Sequence, residues 1–246
     1  MPLSERGIYV KTEQYPLIAF QMAVTHYNLA EDSKRLHQRG LFLITILATV
    51  LMSLGLLVHL RGTLPLDLAI SQAIQANRTP MLDLLARAAT ASGSVGGVLA
   101  VAVLTALFFA LQHKFRLAGI ALISLVAYPL NVLFKDVVER VRPHNVLVQV
   151  LSPAGGYSFP SGHAMISSAV YGTAAYLLWV YFPRPSVRAT IVGINLLWLL
   201  AIGTSRIYLG DHWFTDVIGG WVSGGLIVMA IIRLQISCRS KIDPKF

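Results

Sequence analysis

The stretch Gly155-Gly156-Tyr157-Ser158-Phe159-Pro160-Ser161-Gly162-His163-Ala164-Met165 is a polar, glycine-rich loop that runs directly into a long apolar segment. It reads as a helix start. Pro is favoured in a first turn, where the N–H groups of Ser161, Gly162 and His163 would have no intrahelical carbonyl to bond. Free donors at the positive end of a helix dipole make a seat for an anion, and the absent Gly162 side chain lets that anion approach the backbone. A phosphate fits such a seat. His163 adds a group that exchanges a proton near neutral pH, which plain anion binding does not require. Taken alone, the stretch reads equally well as the N-terminus of a membrane helix with an incidental histidine, and two further clusters decide between the readings.

The surroundings of this stretch are those of a bilayer protein. Of 246 residues, 55% are hydrophobic and only 13% charged, and the mean hydropathy is +0.65, whereas a soluble domain carries about a quarter charged residues. Apolar runs long enough to cross about 30 Å of hydrocarbon as helices fall near 40–60, 93–112, 117–136, 161–181, 187–206 and 214–234. The expected fold is therefore all-α and polytopic, with six transmembrane helices in one domain over 40–235. Residues 1–39 are mixed and polar, with no apolar core early enough for a cleavable signal peptide, and read as a cytoplasmic lead-in. Residues 236–246 read as a basic cytoplasmic tail. The segment 63–90, with Asp67, Asp83 and Arg87 among Leu and Ala, reads as short amphipathic helices at the outer interface.

Six spans put both termini on one side. Thirteen of the twenty Lys and Arg residues fall on that side; the other seven are Arg61, Arg78, Arg87, Lys135, Arg140, Arg142 and Arg206. The termini are thus expected in the cytoplasm of a multi-pass cell-membrane protein. The same distribution explains the net charge of +9 through lipid and topology, with no nucleic-acid partner. Cys238 is the single cysteine, which excludes an intrachain disulfide and a thiolate metal cluster. Trp179, Tyr181, Tyr208 and Trp213 lie near span ends and read as interfacial anchors. The Gly219-Gly220 and Gly224-Gly225 pairs suggest close helix packing in the last span.

The first deciding cluster is Lys135-Asp136-Val137-Val138-Glu139-Arg140-Val141-Arg142-Pro143. If the helix continues to Arg142, the seven-residue gap is almost two turns and puts Lys135 and Arg142 on one face. An ammonium late in an apolar span is costly and implies a partner or a wet cavity; the plain alternative is a pair of snorkelling cations. Glu139 and Arg140 read as solvated or paired at the interface. The second cluster is Ser205-Arg206-Ile207-Tyr208-Leu209-Gly210-Asp211-His212-Trp213-Phe214-Thr215-Asp216. On a helix beginning near Asp211, His212 and Asp216 are stacked neighbours, and a carboxylate there holds an imidazole in one tautomer. That makes His212 a candidate nucleophile, with Asp211 as the helix N-cap; a purely structural His–Asp pair is the alternative. In the six-span topology Lys135, Arg142, His163, Arg206, His212 and Asp216 all lie at one membrane face. Three cations and a helix N-terminus then surround an anion, with a histidine available on either side. His26, His37, His59 and His113 read as interfacial, and His144 stays outside the catalytic set.

These residues resemble a known family. Lys135 through Arg142-Pro143 match Lys-x6-Arg-Pro, Pro160 to His163 match Pro-Ser-Gly-His, and Ser205-Arg206 through His212 to Asp216 match Ser-Arg-x5-His-x3-Asp. That is similar to the three-part signature of the type 2 phosphatidic acid phosphatases, a superfamily that also holds bacterial acid phosphatases and vanadium haloperoxidases. The resemblance covers roughly 90–235. It implies that His212 attacks phosphorus to form a phosphohistidine, oriented by Asp216, and that His163 protonates the leaving group and then activates water. It further implies that Lys135, Arg142, Arg206, Ser161 and Gly162 hold the phosphate oxygens, with no metal and no cofactor. The carboxylates are too few and too scattered for a magnesium or two-metal site. The expected activity is hydrolysis of a phosphomonoester or pyrophosphate lipid, namely phosphatidic acid, phosphatidylglycerophosphate or undecaprenyl pyrophosphate, at the outer face. A lipid A phosphatase or a lipid phosphotransferase is the alternative within the superfamily, and a transporter the alternative outside it. The sequence does not specify the oligomeric state.

Overall fold

The computed structural model describes the backbone of residues 16–242 and the side chains of residues 38–236. The first part of the lead-in, the side chains of His26, His37 and Cys238, and the end of the basic tail lie outside the described residues. The chain divides into a short unit, Met1–Ile46, and a main body, Leu47–Phe246. Over its described residues the short unit is the N-terminal part of one helix, and everything below concerns the main body.

Among the described residues the secondary structure is entirely helical. The helices are α1 (Pro16–Arg61), α2 (Pro65–Ala76), α3 (Pro80–Ser92), α4 (Val95–Leu111), α5 (Phe115–Ile123), α6 (Ala127–Val138), α7 (Gly162–Tyr181), α8 (Pro185–Tyr208) and α9 (Phe214–Ile242). Five stretches are each long and apolar enough to cross a membrane: Gln38–Arg61, Phe115–Val138, Gly162–Tyr181, Pro185–Tyr208 and Phe214–Ile236. The third of the expected spans is α5 and α6 joined through a short 3₁₀ turn, Ser124–Val126. A sixth span exists if α3 and α4, bent by 52° at their junction, count as one. The 63–90 segment is helical as expected, and Asp67 of α2 is fully buried.

The outward faces carry large apolar side chains, such as Ile194 at 64% and Leu197 at 70% exposure on α8. A hydrocarbon solvent satisfies such a surface where water would not. Polarity is turned inward, and α7 is the most enclosed span. Its close approach to α9 depends on glycine. A Cβ on Gly220 would lie 2.8 Å from the Ser161 carbonyl oxygen and 2.7 Å from the Ala164 Cβ, and one on Gly224 would lie 2.5 Å from the Met165 carbonyl oxygen. A Cβ on Gly219 would meet the Phe159 ring at 2.4 Å. The reading of close helix packing in the last span therefore holds at Gly220 and Gly224, while Gly219 packs on a loop residue and Gly225 faces open space. In a bilayer, where apolar burial drives nothing, such close backbone packing is what joins helices.

Two of the expected anchors are interior residues. Trp213 is fully buried, its indole N–H donating to the Val141 carbonyl at 3.2 Å. Tyr208 is buried and donates to Asp83 Oδ1 at 2.6 Å. Both lie at span ends, as amphipathic rings should, but the ends of α8 and α9 are covered by α2, α3 and the 140–158 loop instead of facing headgroups. Trp179 is 41% exposed, with the Arg188 guanidinium 4.3 Å over its ring, the arrangement expected at an interface.

Candidate active site

The C-termini of α1, α6 and α8 and the N-termini of α7 and α9 meet at one end of the bundle. All eight residues singled out in the sequence lie there, though the local structure differs from the expectation in four respects.

The first concerns the Lys135–Arg142 stretch. Helix α6 stops at Val138, and Glu139 takes a left-handed conformation (φ 52°) that ends it. Lys135 and Arg142 therefore do not share a helix face; the chain turns at Glu139 and is non-helical through Arg142. Pro143 keeps Arg142 itself out of a helix, and the stop four residues earlier is made at the left-handed Glu139.

The second concerns the Pro-Ser-Gly-His helix start. Ser161, not a residue of the first turn, is the α7 N-cap, with Pro160 before it. The Ser161 N–H is not free, because it donates to the Asp216 carbonyl at 3.0 Å. The open donors are those of Gly162, His163 and Ala164, which precede the first intrahelical bond, Met165 N–H to the Ser161 carbonyl. The gap left by the missing Gly162 side chain is taken by Asn131, whose Oδ1 lies 3.0 Å from a Cβ position there. Asn131 also donates to the Pro160 carbonyl at 3.2 Å, so α6 clamps this loop.

The third concerns Asp211. Helix α9 begins at Phe214, so Asp211 is not its N-cap, and His212 sits on the turn before it. Asp211 instead pairs with Arg206 Nη2. Trp213 holds the N-cap position, and Asp216, the third residue of the helix, reaches back so that its Oδ2 accepts the Trp213 N–H at 2.8 Å.

The fourth concerns Arg140, read as an interfacial residue. It is 1% exposed and bonds Asp216, Asp67 and Thr215. Glu139 is exposed and accepts from the Tyr157 hydroxyl at 3.2 Å, as an interfacial pair would.

The geometry around His212 is directional. Nδ1 faces Asp216 Oδ2 at 3.5 Å and Ser158 Oγ at 3.4 Å, and Ser158 donates to the same carboxylate oxygen. Nε2, on the other edge, faces Arg142 Nη1 at 3.2 Å. Arg142 Nη1 also donates to the Asp211 carbonyl, and Nε to the carbonyls of Gly155 and Gly156. Arg206 is held by Thr90 of α3 and by Asp211, and its buried Nε has no partner among the described residues. His163 lies within electrostatic reach of Arg206, His212, Lys135 and Arg142, and Lys135 within reach of Arg142, Arg206 and Asp216. A side chain on Gly93, at the α3–α4 bend, would come within 3.2 Å of the His163 ring. The bend thus leaves room for that imidazole.

Sequence reasoning missed Ser158, Asn131, Thr90, Asp67 and Arg140. Ser158 and Arg140 lie inside the quoted clusters; Asp67, Thr90 and Asn131 share their helices with other polar residues, so no local signal singles them out.

Charge in the loops is tuned by burial. Burial raises the Asp211 carboxyl above its ordinary range, opposed by the Arg206 and Arg142 charges. Burial lowers Arg142, opposed by Asp211 and Asp216. Burial also pushes His212 down to about 4 from an ordinary 6.5, against the pull of Asp216 and with the help of Arg142 and Arg206. The ring is therefore neutral at physiological pH, with an unprotonated Nε2. The unfolded chain takes up this proton first, so stability from His212 is complete above pH 6.5 and drains as pH falls toward 4, by up to ~3 kcal/mol. The melting temperature of the solubilised protein should fall across that window, and His212→Gln should flatten the slope. Equal slopes in the two proteins would rule this out.

The fold defines a multi-pass membrane protein, and at one end of its bundle the buried cations, carboxylates and imidazoles gather. Comparison with known proteins makes that specific. The family described as the PAP2 superfamily matches residues 116–239. Phosphatidylglycerophosphatase B of Bacillus subtilis is 32% identical over 72% of this chain and 86% of its own length. An undecaprenyl-diphosphatase of Sulfolobus acidocaldarius is 34% identical over 49% of this chain and 56% of its own. The crystal structure of a transmembrane PAP2-type phosphatidylglycerolphosphate phosphatase from Bacillus subtilis superposes with a TM-score of 0.72 at 28% identity, over 79% of this chain and 96% of that one. The chain belongs to the PAP2 superfamily.

Proposed function

We propose that this membrane lipid phosphatase works through a phosphohistidine on His212, without metal, at the outer face of the cell membrane. The observation that carries the reading is the two-sided environment of His212: Nδ1 is backed by Asp216 and Ser158, and Nε2, on the opposite edge, meets the Arg142 guanidinium, which a phosphate oxygen would draw away. Nε2 attacks phosphorus in line, the P–N bond forms, and the P–O bond to the lipid breaks as His163 passes its proton to the departing oxygen. Water then attacks phosphorus, His163 takes its proton, and the P–N bond breaks to release inorganic phosphate. Lys135, Arg142 and the unpartnered Arg206 Nε–H, with the Gly162 and His163 amides, hold the nonbridging oxygens as charge develops. Ser161 is fully buried, and its hydroxyl has no partner among the described residues; it supports the helix start.

Metal independence is supported by the donor set. Among the described residues no three His, Cys, Asp or Glu side chains gather as a metal site, and cations already occupy the positions around the phosphate. The outer-face assignment rests on the Lys and Arg distribution. The substrate's tails remain in lipid. A largely apolar cleft of about 310 Å³ between α1 and α6 is lined by Leu51, Met52, Gly55, Leu56, His59, Leu133, Phe134, Val137, Val138 and Phe159, residues on either side of Lys135 in the chain among them. The relatives' names favour phosphatidylglycerophosphate and undecaprenyl pyrophosphate as substrates, with phosphatidic acid the remaining candidate.

The test is phosphate release from these three lipids, side by side in mixed micelles, by the solubilised full-length protein. Release should be unchanged in excess chelator, and one lipid should lead the others by about tenfold or more in kcat/KM. Loss of activity on chelation, restored by a divalent ion, would overturn the metal-free reading. No release from any lipid phosphate would remove the assignment.

A further inference from the structure

Behind the His212–Asp216 pair runs a charged chain that the three motifs do not include as a unit. Asp216 turns Oδ2 toward His212 and gives Oδ1 to Arg140 Nη1 at 2.5 Å. Arg140 reaches on, with Nη2 to Asp67 Oδ2 at 2.5 Å, Nη1 to Thr215 Oγ1 at 2.7 Å, and Nε and Nη2 to the Gly62 carbonyl at 3.0 and 2.9 Å. Asp67 is closed from the other side by Thr215, whose N–H donates to Oδ1 at 2.8 Å and whose hydroxyl lies 2.9 Å from both oxygens. The side chains of Asp67, Arg140 and Asp216 are all completely buried.

Three charges removed from solvent are a poor way to stabilise a fold, since well-packed apolar residues of the same volume do as well or better. Their arrangement is informative instead. Arg140 is the only cation bonded to Asp216 among the described residues, and Asp67, contributed by α2 from outside the motif region, neutralises that cation from behind. We propose that Asp67 and Arg140 are positioning residues for the catalytic pair. Arg140 anchors Oδ1 so that Oδ2 stays aimed at His212 Nδ1, and Asp67 offsets the guanidinium so that Asp216 keeps its full charge for the imidazolium side of the reaction. The proposal rests on His212 being the nucleophile.

The other charged groups facing His212 are Arg142 and Arg206, with His163 across the site, and the test leaves these in place. Full-length Asp67→Asn is assayed on a short-chain phosphatidic acid dispersed in detergent, for kcat, KM and the pH profile of kcat/KM. The carboxamide keeps the size of the side chain but leaves the Arg140 charge uncompensated. We expect kcat to fall about ten- to a hundredfold with KM changed by less than about twofold. The acid limb should move down by about half a pH unit or more, because an excess cation disfavours the imidazolium. The double variant Asp67→Asn/Arg140→Gln removes both charges and keeps the buried balance if the single variant does not fold. Arg140 is the nearer of the two to His212, so the acid limb there should move above that of the unaltered protein, the opposite direction. Unaltered kcat and acid limb in folded Asp67→Asn, or in the double variant, would overturn the proposal whatever happens to the melting temperature. His212→Ala separates the two readings: activity in that variant removes the nucleophile assignment, whereas inactivity beside an unaffected Asp67→Asn removes only the positioning role.

Discussion

Replacing His212 with alanine should cut phosphate release from a lipid phosphate by about four orders of magnitude or more, the scale seen when the nucleophile of a covalent mechanism is removed. The expectation follows from how little else in the site could attack phosphorus. The Ser161 hydroxyl is fully buried within the helix start, and Ser158 is committed to Asp216. Lys135, Arg142 and Arg206 are cations placed to bind oxygen. The measurement is phosphate released by solubilised His212→Ala, together with an alkaline detergent quench of the unaltered protein to trap a labelled phosphoprotein. The phosphoprotein should be stable to base and labile to acid, as a phosphoramidate is, and absent from the variant. A His212→Ala protein that keeps full activity, or a phosphoprotein that survives the substitution, would sink the assignment. Because His212 is buried and meets Asp216, Ser158 and Arg142, the melting temperature of the variant is measured beside its activity, and a folded, inactive His212→Ala is the expected result.

His163→Ala should lose about 10²- to 10⁴-fold in rate, the usual worth of a positioned acid and base, and the loss should depend on the leaving group. An alkyl lipid phosphate needs a proton at its departing oxygen, whereas a nitrophenyl phosphate does not. With the nitrophenyl ester the first step should recover in the variant while the second, which needs a base for water, stays slow. Phosphoenzyme should then accumulate. Equal losses with both esters and no accumulation would assign His163 to binding alone. The structure leaves room for either proton transfer, since the imidazole stands beside Gly93, where any side chain would meet it.

How much of this was legible in the chain can be argued residue by residue. The α7 helix was expected over 161–181 and runs Gly162–Tyr181, because an apolar run bounded by Pro-Ser-Gly and Phe-Pro has few other options. The span at 93–112 was expected as a self-contained helix but is Val95–Leu111, bent against α3. Gly93 and Ser94 interrupt the helix there, and the 52° bend between α3 and α4 follows at that break. Lys135 and Arg142 were assigned correctly to one end of the bundle but by the wrong route, since the left-handed Glu139 lies between them. Arg140 looked like its neighbours Glu139 and Arg142 on paper; only the arrival of Asp67 from α2 and Thr215 from α9 makes it an interior residue.

Composition, span length and three short motifs were enough, without coordinates, to place this chain in a bilayer as a helical bundle with its reactive residues at one end. That is because hydrocarbon permits only self-bonded backbone and confines costly side chains to a few positions. Which edge of His212 faces outward, which amides remain open at the α7 start, and what stands behind Asp216 were decided by tertiary structure alone. Those outcomes depend on partners dozens of residues away, brought within hydrogen-bonding distance by glycine-mediated packing of α9 on α7, and no local pattern encodes which of two equivalent oxygens or nitrogens will be occupied.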